Sequence, residues 1–263
     1  MLTRTFVLAL AGLSAFSEAA PVEKRAGGKR GLAFKKNLQS KNNLFPGCNW
    51  GYTWEARVGD DNKYSLDGKE FVPMLHDGGA MFTGAWNDDV NKAIKAGAKN
   101  ILSFNEPDEP GAGGACMPVA DAVAKHKLFV QPIADKNKGV RIGSPSVTNG
   151  NTGDKGLSYL KNFLSGCSGC RIDFITAHWY NGGSVKDFQD HFTNMNKQVG
   201  GRKIWVTEFA APDALNAAQK KQFMTDAMAW MDKTDFIERY AYFGVEQGLT
   251  SGNALSDLGK AYA

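Results

Sequence analysis

The sequence has few histidines and no motif that would hold a metal ion. Its 263 residues include 4 histidines, which are scattered without H-E-x-x-H or another ligand spacing. The G-x-S-x-G motif of serine hydrolases is also missing, since the nearest run, Gly166-Cys-Ser-Gly169, is one residue short. These absences argue against a metal hydrolase and a serine hydrolase. We expect an activity that uses no metal and no cofactor.

The sequence also lacks an apolar run long enough to span a membrane. The apolar stretch over residues 6–16 has about 11 residues, which is too short to cross a bilayer. It follows Arg4 and precedes Ser17-Glu-Ala19, and this order is typical of a secretory signal peptide. We therefore assign residues 1–19 to a signal peptide. The protein is expected to be secreted, without a membrane anchor.

A strong excess of one charge is missing once the amino-terminal segment is set aside. The pairs Lys24-Arg25 and Lys29-Arg30 predict a pro-segment over residues 20–30 that is processed at dibasic sites. A solvated cluster of charges is the alternative. Without residues 1–30 the chain keeps 26 basic and 25 acidic residues. A nearly neutral domain without a basic aromatic stripe gives little reason to expect nucleic acid as a partner.

Cysteine is scarce, with 4 residues in the chain. An even number behind a signal peptide favours disulfides over free thiols. Cys167 and Cys170 could close a tight loop and leave Cys48 to pair with Cys116, but the sequence does not decide among the possible pairings. A redox or zinc role for Cys167-Ser-Gly-Cys170 has little support, because no second C-x-x-C and no paired histidine accompany it.

Strand-like runs alternate with helical patterns from Gly31 onward. The predicted strands cover residues 31–34, 48–52, 71–75, 100–104, 140–143, 173–177, 203–207 and 240–244. Helical patterns include residues 88–96, 118–136, 157–164, 185–199 and 214–231. Eight such repeats predict an α/β fold, a single-domain (β/α)8 TIM barrel over residues 31–263. A doubly wound sheet is the alternative, but no phosphate-binding glycine turn follows the first strand.

Two of the predicted strands end in a glutamate. Glu106 follows the fourth strand and Glu208 ends the seventh. Because the carboxyl ends of barrel strands form the catalytic face, the two acids are expected to face each other across its mouth. Glycoside hydrolysis uses such a pair, one acid to protonate the leaving oxygen and one carboxylate to attack or stabilise the sugar carbon. A single glutamate is more often a surface residue, but this pair predicts catalytic roles for Glu106 and Glu208.

The residues around the two acids suit a sugar site. The amide of Asn105 could bond to a sugar 2-hydroxyl, and Pro107 is expected to hold Glu106 in an extended backbone. Aromatic rings can stack on the C–H faces of glucose. The further residues predicted to line the site are Trp50, Trp54, His178, Trp179, Tyr180 and Phe243. Core packing is the alternative for each aromatic residue. His126 and His191 fall in helical patterns and are expected to be solvated.

Seven motifs in order along the chain resemble one group of enzymes. They are Gly31-Leu-Ala-Phe34, Asn49-Trp-Gly-Tyr-Thr-Trp54, Phe71-Val-Pro-Met-Leu75, Phe104-Asn-Glu-Pro-Asp108, Ala177-His-Trp-Tyr180, Trp205-Val-Thr-Glu-Phe209 and Tyr242-Phe-Gly244. The series resembles the fungal alkali-sensitive-linkage-type glycosyl hydrolases, small-barrel β-1,3-glucanases of the retaining glycoside hydrolase clan A. By that resemblance Glu106 is the acid/base and Glu208 the nucleophile, in agreement with the strand count.

The resemblance implies an enzyme that cleaves β-1,3-glucan polysaccharide or oligosaccharide, with endo action and double displacement. Together with the signal peptide it predicts a secreted monomer, extracellular or associated with the cell wall. Only the resemblance indicates the linkage. One alternative is a relative in the same clan that acts on β-1,4-glucan or mannan. Another is a non-catalytic glucan-binding barrel, which would keep the aromatic residues and lose one acid. Other members often have Trp at the position of Tyr242 and Asn-type residues at Lys35 and Lys36.

Overall fold

The protein is described by a computed structural model that covers residues 28–111 and 113–263. The predicted signal peptide and residues 20–27 of the predicted pro-segment lie outside the described residues. Arg30 opens the first strand, and the Lys29 ammonium donates to the carbonyls of Met231 and Thr234 at 2.7 and 2.9 Å. Lys29 and Arg30 therefore pack as part of the barrel, although they were predicted to belong to the pro-segment.

Eight parallel strands form one curled sheet in the order β3-β2-β1-β8-β7-β6-β5-β4. They are β1 (Arg30–Ala33), β2 (Trp50–Tyr52), β3 (Glu70–Phe71), β4 (Asn100–Ile101), β5 (Arg141–Val147), β6 (Phe174–Trp179), β7 (Ile204–Phe209) and β8 (Ile237–Tyr242). The first strand pairs with the last, and a parallel bridge between Met74 and Leu102 joins the chain beyond β3 to the chain beyond β4. The predicted single-domain, TIM-like α/β barrel is confirmed.

Helices cover the outside of the sheet. They are α1 (Ala80–Thr83), α2 (Trp86–Lys95), α3 (Val119–Lys125), α4 (Gln131–Lys136), α5 (Leu157–Gly166), α6 (Val185–Gln198), α7 (Ala217–Lys233) and α8 (Asp257–Tyr262). A 3-10 helix (Gln39–Leu44), π turns (His126–Val130 and Val245–Leu249) and the hairpin β9 (Thr250–Ser251) and β10 (Ala254–Leu255) complete the fold. The pattern over residues 118–136 predicts one helix, but a π turn divides it before Pro132, which has no N–H to donate to the preceding turn.

Trp50 and Trp205 are completely buried inside the barrel and lie 5.2 Å apart between ring centroids. The indole N–H of Trp50 donates to the Lys29 carbonyl at 3.1 Å. The ring crosses β1 at Gly31, where a Cβ atom would lie 2.1 Å from it. The Arg239 guanidinium stacks 4.4 Å over the Trp205 ring. These contacts fill the barrel at the amino-terminal ends of the strands, so the prediction that Trp50 lines a sugar site is wrong.

The cysteines form one disulfide, between Cys167 and Cys170. Cys48 is buried and Cys116 is exposed, and both are free. Cys48 precedes β2, whereas Cys116 follows β4, so the two residues lie at opposite ends of the barrel. A second disulfide between them is therefore not formed. Among the described residues, no helix is both long and apolar enough to cross a membrane.

The expectation that His126 and His191 are solvated is wrong. His126 is fully buried, with its Nδ1 3.2 Å from the Ser103 hydroxyl and its ring edge-on to Phe163. His191 is half-buried and lies against the ring of Trp179. Burial lowers the pKa of each imidazole to about 4. Both residues therefore face the barrel side of their helical segments.

The buried His126 predicts a loss of stability in mild acid. An unfolded histidine takes up its proton near pH 6.5, whereas folded His126 stays neutral down to about pH 4. Its contribution is therefore present above pH 6.5 and is lost as the pH falls toward 4. In His126→Gln, the drop in the free energy of unfolding between pH 7 and pH 4.5 should shrink by about 2 to 3 kcal/mol. Denaturant titrations at the two pH values measure it, and an unchanged drop would contradict the assignment.

Candidate active site

Glu106 and Glu208 meet at the carboxyl ends of the strands. Glu208 is the second-last residue of β7, and Glu106 follows β4 after the bridge of Asn105 to Ser146. One oxygen of each carboxylate and one nitrogen of His178 all lie within 4.8 Å of one another. Both glutamates are largely buried, yet both face a cleft of about 760 Å³. The two acids are thus close enough to act on one bond.

The backbone of Glu106 is held in the left-handed region, with φ at 41°. Pro107 was expected to make this residue extended, and that expectation is wrong. The backbone N–H of Asn105 donates to the His76 carbonyl at 2.9 Å, and the backbone N–H of Glu106 donates to the Ser146 carbonyl at 2.8 Å. These bonds hold a conformation that costs roughly 1–2 kcal/mol in a residue with a Cβ atom. They thereby fix the direction of the Glu106 side chain.

His178 lies between the two acids and is fully buried. Its Nδ1 is 2.7 Å from Glu106 Oε1, and its Nε2 is 3.5 Å from Glu208 Oε1. It is also the register partner of Glu208 across β6 and β7, just after an irregularity in the pairing. Burial alone would lower the pKa of His178, but the nearby Glu208 and Glu106 carboxylates outweigh burial and raise it. The imidazole therefore hydrogen-bonds to Glu106 and orients it, while its Nε2 lies near Glu208 without a hydrogen-bond partner among the described residues.

Three neutral donors hold the Glu208 carboxylate. The Trp54 indole N–H and the Tyr52 hydroxyl donate to Oε1 at 2.6 and 3.2 Å, and the Tyr180 hydroxyl donates to Oε2. Burial, together with the adjacent Glu208 charge, raises the pKa of both tyrosines well above the ordinary value. Their hydroxyls therefore keep their protons and remain donors. Tyr52 was missed in the sequence, although it lies two residues from Trp50 on β2 and two residues from Trp54 just beyond it, a spacing that predicts the same inward face.

The cleft has an aromatic wall made by Trp54, Tyr180 and Phe243. The ring of Phe243 meets those of Trp54 and Tyr180 edge-on, with centroid distances of 5.8 and 5.5 Å. Asn105 also lines the cleft, and its amide nitrogen donates to the Gly113 carbonyl at 3.3 Å. Its Oδ1 has no hydrogen-bond partner among the described residues. The structure thus brings these four predicted residues to the two acids.

Trp179 does not reach the cleft. Its ring packs against Phe188 and His191 of α6, with centroid distances of 5.7 and 5.0 Å, and only 3% of the residue is exposed. Side chains along a strand alternate between its two faces. His178 and Tyr180 point to the barrel mouth, so Trp179 between them points to the helices. Its predicted place in the sugar site is wrong.

Several cleft residues lie on loops that the sequence pattern did not identify. They are Lys35, Glu109, Thr148, Asn149 and Lys155. His76 and Gln247, the latter on the π turn after β8, also line the cleft. Asp108 is buried behind them and accepts hydrogen bonds from the Thr148 hydroxyl at 2.6 Å and the Gly156 amide at 2.7 Å. It thereby joins the loop after β4 to the loop after β5. The position of Asp108 directly after Asn-Glu-Pro is the feature of the sequence that could have indicated its place near the site.

Two groups of side chains have the composition of a metal site. Glu106, His178 and Glu208 form one, but the Glu208 oxygens already accept from Trp54, Tyr52 and Tyr180. Neutral donors around a carboxylate suit an uncoordinated anion. The second group is His126 with Cys167 and Cys170, whose sulfurs are joined in the disulfide. Neither group presents a free set of ligands.

The chain matches the glycosyl hydrolase catalytic core over residues 31–262. It is 30% identical over 254 residues to Alkali-sensitive linkage protein 1 of Schizosaccharomyces pombe, a match that covers 89% of this chain. The chain spans 44% of the length of that relative.

Crystal structures from glycoside hydrolase family 128 share the fold. One is a curdlan-specific exo-β-1,3-glucanase of subgroup III from Blastomyces gilchristii in complex with glucose. It is 36% identical with a TM-score of 0.78, and the match covers 90% of this chain and 97% of that one. Another is a mutant endo-β-1,3-glucanase of subgroup I from Amycolatopsis mediterranei in complex with laminaripentaose. It is 29% identical with a TM-score of 0.72, over 89% of this chain and 98% of that one.

Proposed function

Because the chain belongs to the glycosyl hydrolase catalytic core family and is a glycoside hydrolase with the fold of the family 128 β-1,3-glucanases, we propose that it cleaves β-1,3-glucan by double displacement at Glu106 and Glu208. The carrying observation is the short spacing of the two acids, with one oxygen of each within 4.8 Å. Retaining glycosidases hold their carboxyl groups about 5–5.5 Å apart, whereas inverting ones need about 6.5–9.5 Å to admit a water.

In the first step an oxygen of Glu208 attacks the anomeric carbon while the bond to the leaving oxygen breaks. Glu106 gives its proton to that oxygen, and an ester joins the sugar to Glu208. In the second step Glu106 takes a proton from water, the water oxygen bonds to the anomeric carbon, and the Glu208 carboxylate is released. The donors Trp54, Tyr52 and Tyr180 hold Glu208 in line for attack.

The linkage is supported by the relatives, which include both modes of action. The Amycolatopsis mediterranei enzyme is an endo-β-1,3-glucanase in complex with laminaripentaose, and the Blastomyces gilchristii enzyme is an exo-β-1,3-glucanase. Endo action is proposed because the cleft adjoins a second depression beyond Gly150 and Lys155, which gives a chain room to continue past the acids on that side. We further propose that residues 1–19 direct secretion and that the protein acts as a monomer on cell-wall glucan.

The first prediction concerns Glu208. Wild-type enzyme should release oligosaccharides from β-1,3-glucan and show far lower rates on β-1,4-glucan and mannan. Glu208→Gln removes the nucleophile but keeps the side-chain volume, so the rate should fall by about 10³-fold or more. The unfolding midpoint and the affinity for a β-1,3-oligosaccharide should stay near wild type. Preferred cleavage of β-1,4-glucan or mannan, binding without turnover, or near-normal turnover by the variant would each contradict the proposal.

The second prediction separates the role of Glu106. Glu106→Ala should lower kcat/KM on the polymer by about 10²- to 10⁴-fold, because the sugar leaving group needs its proton. An aryl β-glucoside with an activated phenol leaves without that proton and should lose much less. The ratio kcat/KM is the appropriate measure because it reports the first bond cleavage rather than release of the glycosyl-enzyme. Equal losses on the two substrates would contradict the acid role.

A further inference from the structure

The loops around the cleft form two groups, one beside Glu208 and one beside Glu106. Trp54 and Phe243, which follow β2 and β8, form the wall beside Glu208. Glu109 and Lys155 follow β4 and β5, so they lie on the side of Glu106. The proposed acid protonates the oxygen that the departing sugar carries away. That sugar must therefore lie over the loops after β4 and β5.

Glu109 and Lys155 form an ion pair in this part of the cleft. The Lys155 ammonium lies 2.9 Å from Glu109 Oε2, and the side chains are 38% and 27% exposed. The other Glu109 oxygen accepts from the Gly111 amide at 3.1 Å. An ammonium has three N–H donors. Among the described residues, the Lys155 ammonium uses one of them, in its bond to Glu109. The pair therefore offers free donors to a ligand in the cleft.

Lys155 also stands where a chain would leave the cleft. A second depression of about 500 Å³ lies between α5 and α6 and shares Gly150 and Lys155 with the cleft. Amide side chains, including those of Asn162 and Asn194, line it. A polymer that continued from the departing sugar would cross Lys155 before it reached this depression.

We propose that the Glu109–Lys155 pair is the subsite for the first glucosyl unit of the leaving group. Lys155 donates to a hydroxyl oxygen of that sugar, and Glu109 accepts from a neighbouring hydroxyl. This inference rests on the proposed glucanase function. In this proposal the pair contacts only the part of the substrate that leaves in the first step. If the pair only held the two loops together, as Asp108 does, its loss would lower the rate on every substrate alike.

The test uses two substrates that differ only in the leaving group. One is a β-1,3-linked gluco-oligosaccharide, and the other carries the same glycosyl part joined to an unsubstituted phenol, which needs the Glu106 proton to leave but has no sugar hydroxyls for the pair to bind. In Lys155→Met, kcat/KM for the oligosaccharide should fall by about 10- to 100-fold, the loss expected when a charged hydrogen bond is removed. For the aryl substrate it should fall by no more than about 3-fold, on the order of an indirect effect. Glu109→Gln should show the same split, and Lys155→Arg should recover part of the loss.

The matched control is Lys92→Met, which breaks the ion pair of Lys92 with Asp88 on α2, at 2.6 Å and outside the cleft. This control should leave kcat/KM unchanged for both substrates. Equal losses on both substrates in Lys155→Met would assign the pair a structural role, and no loss on either would remove it from the site. Both results overturn the subsite. Failure of the glucanase function itself would be distinct, since the wild-type enzyme would then turn over neither substrate.

Discussion

The catalytic face depends on one buried contact, the imidazole of His178 between the carboxylates of Glu106 and Glu208. Its two nitrogens lie 2.7 and 3.5 Å from the two acids, and the ring is inaccessible to solvent. Two like charges this close in a poorly solvated site would repel each other. The imidazole separates the two carboxylates, and both acids raise the pKa of His178 against the effect of burial. The neutral donors around Glu208 then stabilise that acid separately, so each acid has its own partners.

The barrel supplies the rigidity that this contact needs. His178 and Glu208 are opposite each other on β6 and β7, so the register of two central strands sets their separation. Below them the rings of Trp50 and Trp205 fill the interior, with Arg239 stacked on Trp205. Densely packed interiors resist small displacements. The aromatic residues that do not touch substrate therefore still keep the acids in place, and the loops above are free to define the subsites.

The sequence contained enough to predict the barrel and its two acids, because strand counting needs only the rhythm of apolar runs. Glu106 and Glu208 followed from that count. The directions of single side chains did not follow from it. Trp179 points away from the face that His178 and Tyr180 share, and Trp50 lies at the amino-terminal end of its strand, away from the site. His126 faces inward on a helical segment divided by a π turn. Lys155 and Glu109 lie on irregular loops, where no periodicity indicates which residues meet.

The stereochemistry of the first product tests the account most directly. Double displacement through a Glu208 ester inverts the anomeric carbon twice, so a newly released reducing end should have the β configuration before it equilibrates. Proton NMR of the anomeric signals during the first minutes of β-1,3-glucan hydrolysis measures it. The short spacing of the two acids predicts that the β anomer appears first. Initial release of the α anomer would require a water between the acids and would contradict the mechanism.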